Sequence, residues 1–250
     1  MKKSARIALC AALVVLSVLP AAALTVPERL VYHVSWTGLK AATAVHELTA
    51  RGDELHIVST TRSSELLTPF FSIDDREQSV LTRSGGAGRF AQPRYFRKNI
   101  HQGKYRALKE ARFDTQKLTV ESRDLLKKTG KTDSISTRTF DSLSSLYYVR
   151  SLDLVPGKSV FVDIYDCKRL WSAEVKVLRR EEVRTPLGTF KTIVVKPLLK
   201  AEGFFPRSGD MTVWLTDDSL RIPLMMTTEV KVGKISAMLV GGSYWPVATP

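Results

Sequence analysis

Four histidines, His33, His46, His56 and His101, are the first residues to weigh for chemistry. The first three fall in consecutive stretches that alternate apolar and polar residues. Strands would set them side by side, and imidazoles on adjacent strands can hold Zn²⁺ or Cu²⁺. Tyr32 and Val34 flank His33 as its apolar partners, which puts His33 on a wet face and leaves no metal site expected. Carboxylates come as Asp74-Asp75 and Asp217-Asp218, and neighbours on a strand face opposite sides. Neither pair can therefore act as matched acid and base on one substrate atom. Asp217-Asp218 suits a hairpin turn, and Glu181-Glu182 after Arg179-Arg180 reads as solvated charge. The chain has no G-x-S-x-G elbow, P-loop, H-E-x-x-H or C-x-x-C. No nucleophile, base and orienting group can be nominated together, so the chain reads as non-enzymatic, with no catalytic residue, metal or cofactor expected.

Positive charge is the stronger signal. The 250 residues carry 38 Lys and Arg against 25 Asp and Glu, a formal net charge of +13. Arg89, Arg94, Arg97, Lys98, Lys104, Arg106, Lys109 and Arg112 concentrate in two consecutive candidate strands, interleaved with Phe90, Tyr95, Phe96 and Tyr105. Cations among aromatics attract polyanions. Candidate ligand-binding residues are therefore Arg94, Tyr95, Arg97, Lys104 and Arg106, with Trp171 and Trp214 as further aromatic partners.

The amino terminus supplies an address. Lys2, Lys3 and Arg6 precede an apolar run from Ile7 to Leu19, and Ala21-Ala22-Ala23 follow Pro20, the pattern of a signal peptide cleaved after Ala23. A run of about 13 apolar residues is short of the roughly 20 a spanning helix needs. Cys10 lies too early in that run for lipid modification and is expected to leave with the leader. Cys167 then stands alone and can form no internal disulfide. Residues 1–23 are read as a leader, 24–250 as one domain, and the expected compartment is the periplasm.

Period-two alternation dominates that domain, in Leu30 to Trp36, Glu54 to Thr60, Phe71 to Leu81, Lys104 to Phe113, Ser159 to Tyr165, Leu170 to Leu178, Met211 to Thr216 and Met226 to Val232. In Met211 to Thr216 the Met, Val and Leu point one way while Trp214 and the threonines point the other. Turn residues punctuate the runs, among them Arg51-Gly52-Asp53, Ser84 to Gly88, Gln102-Gly103 and Pro156-Gly157. One helix is expected over Phe140 to Arg150, capped by Asp141 or Ser142, and a weaker one over Ser63 to Phe70, cut short by Pro69. About twelve strands without intervening helices predict an all-β antiparallel meander that curls into an open or incomplete β-barrel with one short helix. A membrane-spanning barrel is disfavoured: Lys109 breaks the apolar side of one strand, and Asp75 and Glu77 that of another.

The opening Glu28 to Ala44, the segment Asp141 to Arg150, Thr185-Pro186-Leu187-Gly188-Thr189-Phe190, Trp214 to Asp218 and Arg221-Ile222-Pro223 together resemble domain of unknown function 3108, a family of exported Gram-negative bacterial proteins. The resemblance implies a secreted, barrel-like β protein and brings no activity and no catalytic residues. In such an envelope the polyanions are phosphorylated lipid headgroups, lipopolysaccharide and anionic cell-wall polymer, and nucleic acid is not an expected partner. The leading expectation is a periplasmic binding protein that carries or senses a lipid or other anionic amphiphile. Its acyl chain would lie on the concave sheet face, with Phe71, Tyr95, Phe161, Trp171, Met211 and Met225 as candidate lining. The alternative is a structural or assembly factor that holds another envelope protein or an anionic polymer.

Overall fold

Alternation in the sequence becomes one continuous ladder. The structure, a computed structural model, describes residues 24–82, 90–200, 211–230 and 232–246. The expected leader, Arg89 and the turn at Ser84 to Gly88 lie outside the described residues. Eight strands come first: β1 (Glu28–Trp36), β2 (Leu39–Arg51), β3 (Glu54–Ser63), β4 (Asp74–Thr82), β5 (Gln92–Gln102), β6 (Tyr105–Asp114), β7 (Thr119–Asp124) and β8 (Thr129–Ser134). A short β9 (Thr139–Asp141) leads into α1 (Ser142–Arg150). The remainder comprises β10 (Ser159–Tyr165), β11 (Leu170–Thr185), β12 (Gly188–Lys200), β13 (Met211–Thr216), β14 (Pro223–Glu229) and β15 (Lys234–Gly242).

All fifteen strands lie in a single sheet ordered β8-β7-β6-β5-β4-β3-β2-β1-β15-β14-β13-β12-β11-β10-β9. Every neighbouring pair is antiparallel except β9 with β10. The sheet curls without closing: β8 and β9 are its two edges and do not pair. Side chains span the gap. Lys98 of β5 donates from Nζ to the Asp166 carbonyl at 2.7 Å, and the hydroxyls of Tyr165 in β10 and Ser122 in β7 are hydrogen-bonded at 2.9 Å.

Period two sends alternate side chains to opposite faces. On the concave face Leu48, Ile57, Leu81, Phe96, Ala111 and Val120 form one buried cluster across β2 to β7. Val162, Ala173, Val175, Ile193, Val213 and Leu215 form a second across β10 to β13. Helix α1 lies between them, contributing Leu143 and Tyr147 to the first and Val149 to the second. The concave side is thus occupied by the protein's own helix. Its start is the expected one: Asp141 accepts from the amides of Leu143 and Ser144 at 2.9 and 3.0 Å, and Ser144 Oγ accepts from the Asp141 amide, a capping box.

Several sequence boundaries shift. The stretch Ser63 to Phe70 makes turns, closed by the Thr68 amide to the Ser64 carbonyl and the Phe71 amide to the Leu67 carbonyl, and forms no helix. The following strand begins at Asp74, leaving Phe71 in the loop, and β14 ends at Glu229, leaving Val230 and Val232 in a turn. No described helix is long and apolar enough to cross a membrane.

Candidate functional site

The concave face carries polar groups of its own. Arg150, at the end of α1, donates through both terminal nitrogens to the two Glu28 carboxylate oxygens at 2.7 Å, and both side chains are buried. Burial works against the Arg150 charge, but the Glu28 hydrogen bonds more than offset it and hold the guanidinium protonated. Such a pair is satisfied, and removing either member would strand a buried charge. His46 lies across the register from Leu30, with its ring 5.4 Å from that of Tyr32, and burial lowers its pKa to about 4.

Further along, the polar breaks in the apolar pattern form one inward row, Ser59–Glu77–Lys98–Lys109–Asp124, running across β3 to β7. Lys109 sits 3.6 Å from Asp124. Burial raises the pKa of Glu77, and raises that of Asp141 against the hydrogen bonds it accepts from Ser79 and Ser144. The buried Cys167 thiol is pushed up to about 12, so it is not a thiolate at neutral pH. Most of these interior groups are hydrogen-bonded or ion-paired within the fold, and they supply cohesion.

The convex face of β4, β5 and β6 differs. Register places Arg76 opposite Asn99 and Gln78 opposite Arg97, and these four line a hollow of about 210 Å³. One rung further along the same strands, Val80 pairs with Tyr95 and Tyr95 with Arg112. These three, with Glu54, Arg94 and Phe113, line a second hollow of about 380 Å³. The Arg112 guanidinium lies 5.9 Å from the Tyr95 ring centroid. Arg94 is tied to Glu54 at 3.0 Å, and the Tyr95 hydroxyl donates to Glu110 at 3.0 Å. Among the described residues Arg76, Arg97 and Arg112 form no salt bridge with a carboxylate. Planar guanidiniums beside an aromatic ring suit a carboxylate or phosphate, which they can grip with paired N–H donors.

The sequence-derived residues are thus distributed over the molecule. Arg94, Tyr95 and Arg97 line these hollows. Lys104 and Arg106 stand at the β5–β6 turn, where Arg106 donates to the carbonyls of Gly103 and Tyr105 at 2.7 and 2.8 Å. Trp171 stands at the start of β11, with its indole N–H on Asp166 of the preceding turn and Arg169 stacked 3.5 Å from its ring. Trp214 points outward from β13, opposite to Val213 and Leu215 as the alternation requires, and donates to Glu181 at 2.6 Å. Neither tryptophan joins the basic hollows. Lys98 and Lys109, counted with the basic cluster, face the interior. Of the expected lining, Phe161 is exposed and Tyr95 faces outward, while Met211 packs on the second core cluster. His33, His46 and His56 do not share a patch: His46 is inward, whereas His56 stands near the opposite end of its strand, on Glu54 at 3.2 Å. No group of three metal-ligating side chains is assembled among the described residues. Sequence reasoning missed Arg76, Gln78 and Asn99. Arg76 sits alone between acids in Asp74-Asp75-Arg76-Glu77, and only the β4–β5 register brings it to Arg97.

A family model described as "Protein of unknown function (DUF3108)" matches residues 31–240. No curated protein matches the sequence. Among solved structures, the β-barrel-like protein of domain of unknown function DUF1849 from Brucella abortus superposes with a TM-score of 0.61 at 13% identity, over 88% of this chain and 98% of that one. At that identity the likeness shows the fold alone.

Proposed function

The chain belongs to the DUF3108 family, and we propose that it is an exported, non-enzymatic binding protein of the bacterial envelope that takes an anionic ligand on the convex face of β4–β6. The single observation carrying this is the placement of Arg76 and Arg97 on one hollow and of Arg94, Tyr95 and Arg112 on the next, one rung along the same strands. An anion seated there would gain several charge-assisted hydrogen bonds, each contributing roughly 1.5–3 kcal/mol. The ligand class is a phosphorylated or carboxylated envelope component. Because α1 occupies the concave side, an amphiphile would present its headgroup to the outside of the sheet. The leader expected over residues 1–23 supports a periplasmic address.

Calorimetric titration with a bis-phosphorylated diglucosamine lacking acyl chains tests the reading. Wild type binds, and the double variant Arg76→Gln/Arg97→Gln binds at least tenfold more weakly while its thermal transition stays put. Equal affinity in the two proteins would remove the groove from consideration. The alternative role, holding another envelope protein, is favoured by one observation: β8 is an edge strand exposed along nearly its whole length. In-cell cross-linking from β8 that traps one protein reproducibly, with no anion bound in the groove, would shift the assignment to that role.

A further inference from the structure

In an antiparallel meander every second connection falls at the same end, and here the two ends differ in kind. One end carries the β1–β2, β3–β4, β5–β6 and β7–β8 connections, joined by the β14–β15 turn through the pairing of Trp36 with Ile235. Most of the exposed large apolar side chains gather there. Phe70 is 84% exposed, Leu66 78%, Leu39 72% and Val232 71%, and Trp36, Tyr105 and Leu126 are exposed as well. The opposite end presents Arg51-Gly52-Asp53, Asp114 to Leu118 and Asp217-Asp218-Ser219, with Leu118 as its exposed large apolar residue among the described residues.

The apolar connections form a bonded arc. The Thr37 amide donates to the Lys234 carbonyl at 2.8 Å, and Trp36 Nε1 donates to the Val232 carbonyl at 2.9 Å, joining the β14–β15 and β1–β2 turns. The Ser64 amide donates to the Ala41 carbonyl at 2.8 Å, tying in the β3–β4 loop. The Gly103 amide donates to the Ser72 carbonyl at 2.8 Å, and the Phe71 ring lies so close to Gly103 that a Cβ there would meet it at 2.7 Å. The next turn follows through the Leu125 amide on the Leu108 carbonyl. Lys40, Lys104, Lys127, Lys128 and Lys234 stand in or beside these same turns.

We infer that this arc is a membrane-docking rim: the loop tips enter the headgroup region of an anionic phospholipid bilayer while the lysines stay at its charged surface. The arrangement matches what holds a monotopic protein in an interface, apolar side chains flanked by cations. Charge complementarity selects the occupant. Five lysines outnumber the exposed carboxylates Glu65 and Glu229 of the same connections, and beside exposed aliphatic and aromatic tips they suit a negatively charged bilayer, whereas a protein partner would be met by a surface depleted of lysine. The rim is distinct from the convex arginine groove and does not rest on it.

Co-sedimentation of the full mature chain with vesicles tests this. Phosphatidylethanolamine vesicles containing about a third phosphatidylglycerol should bind the protein; neutral phosphatidylcholine vesicles should bind it at least tenfold more weakly, as should 0.5 M salt with the anionic vesicles. Leu66→Ser/Phe70→Ser, changing two exposed side chains that the fold does not need, should lose at least tenfold in vesicle affinity. Lys40→Gln/Lys104→Gln should weaken binding to anionic vesicles and leave neutral ones unaffected. The groove variant Arg76→Gln/Arg97→Gln should sediment like wild type, so that failure of the groove and failure of the rim are read separately. Equal binding to neutral and anionic vesicles, or full affinity in Leu66→Ser/Phe70→Ser, overturns the inference. Absence of binding to every vesicle also overturns it, and leaves the apolar tips to a protein partner.

Discussion

Charged and polar residues divide by face, and that division carries most of the physics. His46 is inward, beside Tyr32 and within the field of Glu28 and Arg150, and burial lowers its pKa to about 4 against an ordinary 6.5. The folded chain therefore binds fewer protons than the unfolded chain between those values, and stability must fall as pH drops through that window. Allowing for partial exposure of the ring, the loss between pH 7 and 5.5 is about 1 kcal/mol. Urea unfolding at the two pH values checks it: wild type loses that amount, and His46→Gln loses measurably less. A variant with the same pH slope as wild type would mean that His46 is not the titrating group. Little of this was legible beforehand, because His46 in Ala44-Val45-His46-Glu47 has the same alternation as His33 in Tyr32-His33-Val34, and only pairing with Leu30 turns one inward. The same ambiguity hid the split between Arg97 and Lys98. Adjacent in sequence, one faces solvent beside Gln78 and the other reaches the Asp166 carbonyl.

Among the elements, those with strong local signals appear where expected. Asp141 with apolar positions at Leu143, Tyr147 and Val149 specified α1, and Met211 to Thr216 is β13 with its predicted facing. Strand β8, Thr129-Gly130-Lys131-Thr132-Asp133-Ser134, has no apolar residue to alternate, so only its ladder to β7 defines it. Turns and irregularities were legible as glycines but not as contacts. Gly242, at the end of β15, has φ +142°, and a Cβ there would lie 2.0 Å from the Arg29 carbonyl oxygen, a backbone atom that cannot swing away. This close approach lets the Ser243 amide reach the same carbonyl at 2.8 Å as the chain leaves the sheet beside β1. Gly242→Ala should therefore destabilise the protein by about 2 kcal/mol or more, read as a lowered Tm. Gly52→Ala, whose Cβ meets nothing within 4 Å although its φ is +56°, should cost less. Equal losses in the two variants would show that torsion alone, rather than contact with Arg29, sets the penalty.

For the whole molecule the decisive feature is an unclosed sheet whose edges meet through side chains. Closure by backbone would have made the gap as strong as any other strand pair; here the Tyr165 hydroxyl bridges Ser122 Oγ at 2.9 Å and Asp133 Oδ2 at 2.5 Å, and Lys98 holds the Asp166 carbonyl. Tyr165 is fully buried, and its ring meets Phe113 edge-on at 6.2 Å, so the aromatic body belongs to the core while the hydroxyl alone spans the seam. The barrel-like outline could be inferred from strand number, but not this seam, because nothing in the local pattern of Tyr165 identifies partners more than thirty residues earlier. Since stability is not uniform and the edge strand has a ladder on one side only, the seam should be the first region to open. Tyr165→Phe keeps the ring, removes the bridge and leaves Asp133 without that donor. The expected cost is about 1–2 kcal/mol, concentrated in faster amide hydrogen exchange in β7 and β8, with β1, β2 and β15 protected as before. Uniformly faster exchange across all strands would mean that the two edges open only with the whole fold, and that α1, packed between the two clusters, fastens the curl more firmly than the bonds across its gap.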